Sequence, residues 1–203
     1  MAERLPLPEW IVEREPKSGS VEVICGCMFS GKTDELIRRV RRAPFAKKNV
    51  LVFKPVIDNR RDPNTVNTYN DAKHPAISVS SSGDILKNIR EDTDWVAIDE
   101  AQFFDDNLPD VCNILANVGV RVIVVGLDTD FRGESFGSMD SIMRSADKVD
   151  KQTAHCAICG ETATRTQRIV NGVPANFDDP VVVIGAEESY QARCRLHHEV
   201  KRD

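Results

Sequence analysis

The sequence predicts an α/β fold in which helices cover a parallel sheet, followed by a smaller domain of different character. Its apolar runs are continuous stretches of Val and Ile, as in strands that are buried on both faces. These runs alternate with segments of helical periodicity, and a glycine-rich loop stands between the first strand and the first helix. After residue 150, short segments with Cys and His pairs replace this alternation. We therefore predict an α/β domain over 19–150 and a second domain over 151–203.

The first part of the chain predicts an arm, a strand and a helix, in that order. Residues 1–18 are polar, contain prolines and lack periodicity, so we expect a flexible arm. A short strand is expected at 21–24. The segment 32–42 predicts a helix, because its apolar side chains share one face and its arginines the other. Pro44 ends this helix.

The remaining elements of the first domain follow the same alternation. Further strands are predicted at 49–53, 95–99 and 121–127, and further helices at 84–90 and 108–117. Residues 58–75 are polar and aperiodic, and a loop of that length in a compact domain is usually functional or mobile.

Composition excludes several classes of protein. The formal net charge is -5, so the chain gains little from counterion release on DNA or RNA, and we expect no nucleic-acid partner. No apolar run reaches the roughly 18 to 20 residues that span a bilayer, and the N-terminus lacks the apolar stretch of a signal peptide. We therefore expect a cytoplasmic protein without membrane contact. In that compartment, the six cysteines are expected to be thiols or metal ligands.

The glycine-rich loop matches the phosphate-binding pattern G-x-x-x-x-G-K-[ST] in full. The matching residues are Gly26, Cys27, Met28, Phe29, Ser30, Gly31, Lys32 and Thr33. Glycines let successive N–H groups turn inward toward phosphate oxygens, and the positive end of the following helix faces the same anion. The lysine reaches the β- and γ-phosphates, and the threonine hydroxyl can bind Mg²⁺. The sequence thus predicts a site for ATP with Mg²⁺.

Two carboxylates follow the strand at 95–99. Asp99 ends that strand beside the predicted phosphate loop, where it can hold Mg²⁺ directly or through water. Glu100 points the other way along the backbone and is a candidate general base, since phosphoryl transfer to an alcohol requires removal of the hydroxyl proton. The alternative is that the pair only caps the next helix.

The C-terminal segment contains two pairs of metal-ligand residues with the same spacing. The predicted ligands are Cys156, Cys159, Cys194 and His197. Two such pairs supply the tetrahedral set that structural Zn²⁺ prefers, and four protein ligands leave no open position for catalysis. His155 and His198 adjoin the pairs and are competing candidates. We therefore predict that 151–203 is a zinc-binding domain.

Four segments, together with these pairs in the same order, resemble the thymidine kinase family that includes the cytosolic human and common bacterial enzymes. The segments are Gly26–Thr33, Val96–Phe104, Gly126–Gly133 and Val183–Tyr190. The resemblance implies a RecA-like P-loop domain, a small zinc domain with a lasso-like loop, and a homotetramer. It also implies transfer of the γ-phosphate of ATP to the 5′-hydroxyl of thymidine, with thymidine triphosphate as a feedback inhibitor.

The resemblance assigns roles to matching positions. Glu100 is the implied general base. Outside the phosphate loop, the implied ATP and Mg²⁺ contacts are Asp58, Arg60, Asp99 and Gln102. The residues implied to flank the thymine ring are Phe103 and Phe131. Those implied around its 5-methyl group are Met28, Leu127 and Thr166. The residues implied to hold the nucleoside from the lasso are Val181, Val182, Val183, Ile184, Gly185 and Tyr190.

The sequence departs from the family pattern in three places and leaves two rival functions open. Cys27 replaces a proline or serine, Ala186 replaces a second lasso glycine, and the loop at 68–70 differs from the family's Ser-His pattern. One rival is a P-loop kinase of another nucleoside or small alcohol, which shares every feature up to Glu100. The other is a zinc-containing ATPase that depends on nucleic acid, against which the acidic charge argues.

Overall fold

The computed structural model describes residues 7–13, 15–58, 64–67, 72–182 and 189–202. Within these ranges, helices α1–α5 span Glu9–Glu13, Lys32–Val40, Ser82–Asn88, Leu108–Asn117 and Met139–Ser145. Strands β1–β8 span Ser20–Gly26, Val50–Pro55, Thr65–Asn67, Lys73–Pro75, Ile77–Val79, Trp95–Ile98, Arg121–Gly126 and Lys148–Gln152. Strands β9–β13 span Ala154–His155, Thr162–Ala163, Arg165–Val170, Val173–Pro174 and Ser189–Arg193.

A six-stranded sheet occupies the centre of the first domain. Its strand order is β5-β2-β6-β7-β1-β8, and each pairing is parallel. The predicted α/β fold with a parallel sheet is therefore confirmed. Because β6, β7 and β1 are neighbours, the residues that follow their carboxyl ends meet at one edge of the sheet, where ligands bind in such folds.

Both faces of the sheet are covered, which explains the continuous apolar runs in the sequence. Along β7, Val122 and Val124 belong to one core, on the side of α3, α4 and α5, while Ile123 and Val125 belong to the other, on the side of α2. Successive side chains of a strand point to opposite faces, so a strand between two cores needs apolar residues at every position.

The predicted helices form, with shifted ends. Helix α2 ends at Val40, two residues before the predicted end. Helix α3 begins at Ser82 because Ser81 caps it: the Ser81 hydroxyl accepts from the Asp84 N–H, and the Asp84 carboxylate accepts from the Ser81 N–H. This reciprocal cap places the helix start two residues earlier than the periodicity predicts.

Several elements had no prediction from the sequence. The N-terminal segment contains α1, whose Ile11 packs in the core at 5% exposure. The expected loop at 58–75 includes the small antiparallel hairpin β3–β4. Strand β8 is an edge strand of alternating charge, with none of the continuous apolar character of its neighbours. It crosses the boundary predicted after residue 150, so the division into domains stays a prediction.

The C-terminal part forms antiparallel strands that pack on the phosphate loop. Strands β9 and β10 pair with each other, and β11 lies between β12 and β13. Cys27 of the loop is buried in a small apolar cluster with Cys156, Ala163 and Ala192.

In the described ranges, no helix is both long and apolar enough to cross a membrane.

Candidate active site and zinc centre

The phosphate loop connects β1 to α2, and two of its positions require glycine. Gly26 has a φ of 139°, and a Cβ there would lie 2.3 Å from the backbone oxygen of Gln152. Gly31 caps α2 in the left-handed conformation, with a φ of 80°. These conformations turn the loop around the N-terminus of α2, where backbone N–H groups can face an anion.

Lys32 lies against this loop. Its Nζ donates a hydrogen bond to the Cys27 carbonyl oxygen at 2.7 Å, and the Ser30 hydroxyl donates to the same oxygen at 2.7 Å. Burial lowers the pKa of Lys32, while the negative charges of Glu100 and Asp99 act in the opposite direction. The Lys32 amine is therefore held against the backbone of the loop, where a phosphate-binding lysine is needed.

Asp99 and Thr33 place two possible oxygen ligands close together. Asp99 follows β6, is 6% exposed, and its Oδ2 lies 3.4 Å from the Thr33 hydroxyl. Burial, and then the negative charges of Glu100 and Asp58, raise the pKa of Asp99 to about 7. Carboxylate and hydroxyl oxygens are the ligands that Mg²⁺ takes in nucleotide sites, so these side chains fit the metal that accompanies ATP.

Glu100 adopts the left-handed conformation, with a φ of 50°. It begins the short 3₁₀ turn Ala101–Phe103, and its own N–H donates to the Asp99 carboxylate at 3.0 Å. The Gln102 side-chain amide donates to Glu100 Oε2 at 2.5 Å. The oxygen of the same amide accepts from the Leu127 N–H at 3.0 Å. Gln102 therefore links Glu100 to the residue that follows β7.

Met28 and Thr166 join the loop to the C-terminal strands. The Met28 N–H donates to Thr166 Oγ1 at 3.1 Å, and Thr166 is 2% exposed. The Cys27 thiol donates a hydrogen bond to the Ala163 carbonyl oxygen at 3.5 Å. The Cys27 side chain therefore points toward the C-terminal strands, and the replacement of the family's proline or serine is accommodated there.

The four predicted zinc ligands come together. Their ligand atoms all lie within 4.8 Å of one another. Cys159 Sγ is 3.8 Å from Cys194 Sγ, and His197 Nδ1 is 3.7 Å from Cys156 Sγ and 3.3 Å from Cys194 Sγ. Tetrahedral Zn²⁺ with bonds of about 2.0–2.3 Å separates its ligand atoms by roughly 3.5–3.8 Å. The cluster fits a structural zinc ion.

The competing histidines are engaged elsewhere. His198 Nε2 lies 2.8 Å from the carbonyl oxygen of Phe131, and His155 Nδ1 lies 3.0 Å from that of Gly160. Of the alternatives that the spacing leaves open, the structure therefore favours His197.

Comparison with known proteins identifies the family. A family model described as thymidine kinase matches residues 19–198. The chain belongs to the thymidine kinase family. This membership confirms the resemblance found in the sequence. The matched range includes the phosphate loop, the carboxylates after β6 and the zinc ligands.

One similar solved structure is the X-ray structure of the Legionella pneumophila ATPase DotB. The two chains are 13% identical with a TM-score of 0.43, and the match covers 79% of this chain. It covers 48% of the DotB chain, so this thymidine kinase family chain spans about half the length of DotB.

The aromatic residues predicted for a thymine pocket lie on the segments after β6 and β7. Phe103 meets the edge of Phe136, with ring centroids 5.5 Å apart and planes at 84°. Phe131 is 3% exposed, and the guanidinium groups of Arg132 and Arg168 lie 5.3 and 5.2 Å from its ring. Sequence reasoning missed Phe136, although it lies only three residues beyond the Gly126–Gly133 segment.

The lasso positions are described only in part. Val181 is partly buried, Val182 is 41% exposed, and Tyr190 lies in β13 opposite Arg168. The predicted sites at Arg60, Val183, Ile184 and Gly185 lie outside the described residues. Asp58 lies three residues after the end of β2, with its carboxylate 3.8 Å from the amine of the buried Lys54.

Proposed function

We propose that this protein transfers the γ-phosphoryl group of ATP to the 5′-hydroxyl of thymidine, giving thymidine monophosphate and ADP. The observation that carries the proposal is the position of Glu100 directly after Asp99, whose carboxylate accepts from the Glu100 N–H at 3.0 Å and lies 3.4 Å from the Thr33 hydroxyl of the phosphate loop. A base next to a phosphate-binding lysine and a metal-binding carboxylate is the arrangement that transfer to an alcohol requires. Membership of the thymidine kinase family supports thymidine as the alcohol that accepts the phosphoryl group.

In the proposed mechanism, the loop N–H groups and Lys32 hold the β- and γ-phosphates. Thr33 and Asp99, with Asp58 nearby, would hold Mg²⁺, which neutralises charge on the phosphates. Glu100 accepts the proton of the 5′-hydroxyl as its oxygen bonds to the γ-phosphorus. The bond from that phosphorus to the oxygen bridging it to the β-phosphate breaks, and ADP leaves with the electron pair.

For the nucleoside, we propose a pocket between the ends of β6, β7 and the second domain. Phe103 and Phe131 would flank the thymine ring, with Phe136 supporting Phe103. Met28, Leu127 and Thr166 would surround its 5-methyl group. The contact from the Met28 N–H to Thr166 supports this grouping, because it brings the first and third of these residues together.

Additional nucleoside contacts would come from the lasso, namely Tyr190 and the backbone of 181–185. The loss of one methyl contact costs about 1 kcal/mol, so deoxyuridine should be a weaker substrate. The finer assignments implied by the family are part of the same proposal: a homotetramer, a cytosolic location and feedback inhibition by thymidine triphosphate.

The test is phosphoryl transfer from labelled ATP to a panel of nucleosides, with the wild type and Glu100→Gln. We expect thymidine to be the preferred substrate. Without its base, the glutamine variant should turn over at least about a hundredfold more slowly while keeping its affinity for ATP. Asp106→Asn, at an exposed position on the same loop, is the matched control and should keep full activity.

Two results would contradict the proposal. Transfer to deoxycytidine or deoxyadenosine but not to thymidine would favour a kinase of another nucleoside. ATP hydrolysis that rises with polynucleotide and not with thymidine would favour a nucleic-acid-dependent ATPase.

A further inference from the structure

Gln102 is a buried polar residue whose two amide atoms have separate partners. It is 3% exposed, its Nε2 donates to the Glu100 carboxylate at 2.5 Å, and its Oε1 accepts from the Leu127 N–H at 3.0 Å. A buried amide that satisfies a donor and an acceptor at once has one orientation, because rotating it by half a turn breaks both hydrogen bonds.

The surrounding backbone leaves room for this side chain. A Cβ on Gly126 would lie 2.7 Å from Gln102 Oε1, and a Cβ on Gly137 would lie 2.4 Å from the Gln102 backbone oxygen. Both glycines therefore allow approaches that an alanine would obstruct. Gly126 ends β7, next to Leu127, so the end of that strand determines where the amide lies.

The amide acts on a carboxylate whose backbone is itself restrained. Glu100 has a left-handed φ and stands at the start of a 3₁₀ turn, and Gln102 lies within the same turn. Glu100 and Gln102 are thus joined twice, through the turn and through the 2.5 Å hydrogen bond. A hydrogen bond to a charged acceptor is about twice as strong as one between neutral groups.

We propose that Gln102 is a positioning residue that orients Glu100 toward the acceptor hydroxyl, and that it does not bind the nucleotide. This inference rests on the proposed role of Glu100 as general base. It differs from the ATP contact that the family resemblance implies for Gln102, because both amide atoms face protein groups. It also connects the base to Leu127 of the proposed thymine pocket through one side chain.

The experiment uses Gln102→Glu and Gln102→Met, each alone and combined with Glu100→Gln, in steady-state phosphorylation of thymidine. Glutamate has the same shape and keeps an acceptor for Leu127, but it replaces the amide donor with a second carboxyl group that competes with Glu100 for one proton. Methionine removes both bonds. We expect either change alone to lower kcat roughly ten- to a hundredfold, with the KM for ATP within about twofold of the wild type. In the Glu100→Gln background, the same changes should have less than about a threefold effect.

Gln191→Glu is the matched control. Gln191 accepts a hydrogen bond from Arg193 Nε at 3.1 Å, a role that a carboxylate keeps, so its kcat should equal that of the wild type. A tenfold rise in the KM for ATP with kcat unchanged would overturn the inference in favour of a nucleotide contact. The inference would also be overturned if the fold-decreases in kcat of the two single variants multiplied in the double variants.

A crystal structure of Gln102→Met separates this inference from the proposed function. We expect the Glu100 carboxylate to shift by about 1 Å or more once its donor is removed. A carboxylate that keeps its place would overturn the positioning role, whatever the substrate proves to be. A wild type that does not phosphorylate thymidine would instead refute the proposed function, and the crystallographic result would still decide the role of Gln102.

Discussion

Glu100 occupies a backbone conformation that costs a residue with a side chain about 1–2 kcal/mol. The surrounding bonds hold it there: its N–H donates to Asp99, its carbonyl oxygen accepts from the Phe103 N–H at 3.0 Å, and its carboxylate accepts from Gln102. Strain of this kind persists where neighbouring contacts determine the geometry, and it concentrates at functional sites. The sequence identified Glu100 by its position after a strand, but nothing local to it indicated the left-handed conformation.

Gly126→Ala should impair catalysis more than stability. The new Cβ would meet only the ends of flexible side chains, Gln102 Oε1 at 2.7 Å and the Met139 sulfur at 2.8 Å. Both can move, so we expect a fall in melting temperature of only a few degrees. Displacement of the Gln102 amide should lower kcat by roughly tenfold. Thermal unfolding and thymidine phosphorylation would be measured on the same preparation.

Gly19→Ala is the contrasting control. A Cβ there would lie 2.2 Å from the backbone oxygen of Val120, which cannot move without distorting β7. This variant should lose stability while its folded fraction keeps the wild-type kcat. If Gly126→Ala instead lost stability and kept kcat, the alanine would not be acting through Gln102.

At the scale of elements, Arg39 joins helix α2 to the sheet. It is 8% exposed, and its guanidinium pairs with Glu35 on the same helix, Glu22 of β1 and Asp150 of β8 at 2.8, 2.8 and 2.5 Å. A buried guanidinium surrounded by carboxylates stays paired, whereas removal of one partner leaves charge without compensation. The periodicity of α2 predicted its apolar face, but a polar role for one of its arginines depends on strands that are distant in sequence.

Glu35→Gln should destabilise the protein in a way that depends on pH. Hydrogen bonds from Arg38, and then from Arg39, lower the pKa of Glu35 to about 2, below its ordinary value of 4.5. The folded state therefore favours the ionised form, and this stabilisation is complete above about pH 4.5 and lost as the pH falls toward about 2. The melting temperature of the variant should lie below that of the wild type at pH 7, and the difference should shrink across that window.

Asp34→Asn on the same helix is the control for the loss of a carboxylate at an exposed position. Its melting temperature should differ little from that of the wild type, and the difference should not change between about pH 4.5 and about pH 2. A Glu35→Gln difference of constant size from neutral to acidic pH would mean that the ion pairs with Arg38 and Arg39 contribute nothing to the stability of the folded chain.

At the scale of the whole molecule, the features that the sequence predicted are those encoded by neighbouring residues. The phosphate loop, the carboxylates after β6 and the zinc pairs are each short patterns with fixed spacing. The parallel sheet brings the first two together because β1 and β6 both flank β7. A local pattern could not predict the bond from Met28 to Thr166, since the two residues are 138 positions apart.

Strand β8 was not predicted, because it too depends on a partner that is distant in sequence. Its sequence KVDKQ has the charges of an edge strand and resembles a loop, although it pairs with β1 along its full length. Only the open edge beside β1 makes it a strand. The contact between the C-terminal strands and the phosphate loop likewise depends on the packed structure, which places Cys27 and Ala163 in one cluster.

Because the phosphate loop packs against the C-terminal strands near the zinc ligands, loss of zinc should impair the candidate active site. Cys159→Ser removes one of four ligands, and metal binding supplies much of the folding free energy of such small domains. We expect zinc content well below one per chain and loss of hydrogen-exchange protection in β11 and β13, while β1 and β7 remain protected. The Met28 contact to Thr166 would be lost with β11, so thymidine phosphorylation should fall by at least about tenfold.

His155→Ser, at an exposed residue beside the cluster, should keep both zinc and activity. Full activity without zinc would mean that the loop holds its catalytic conformation without support from the C-terminal strands.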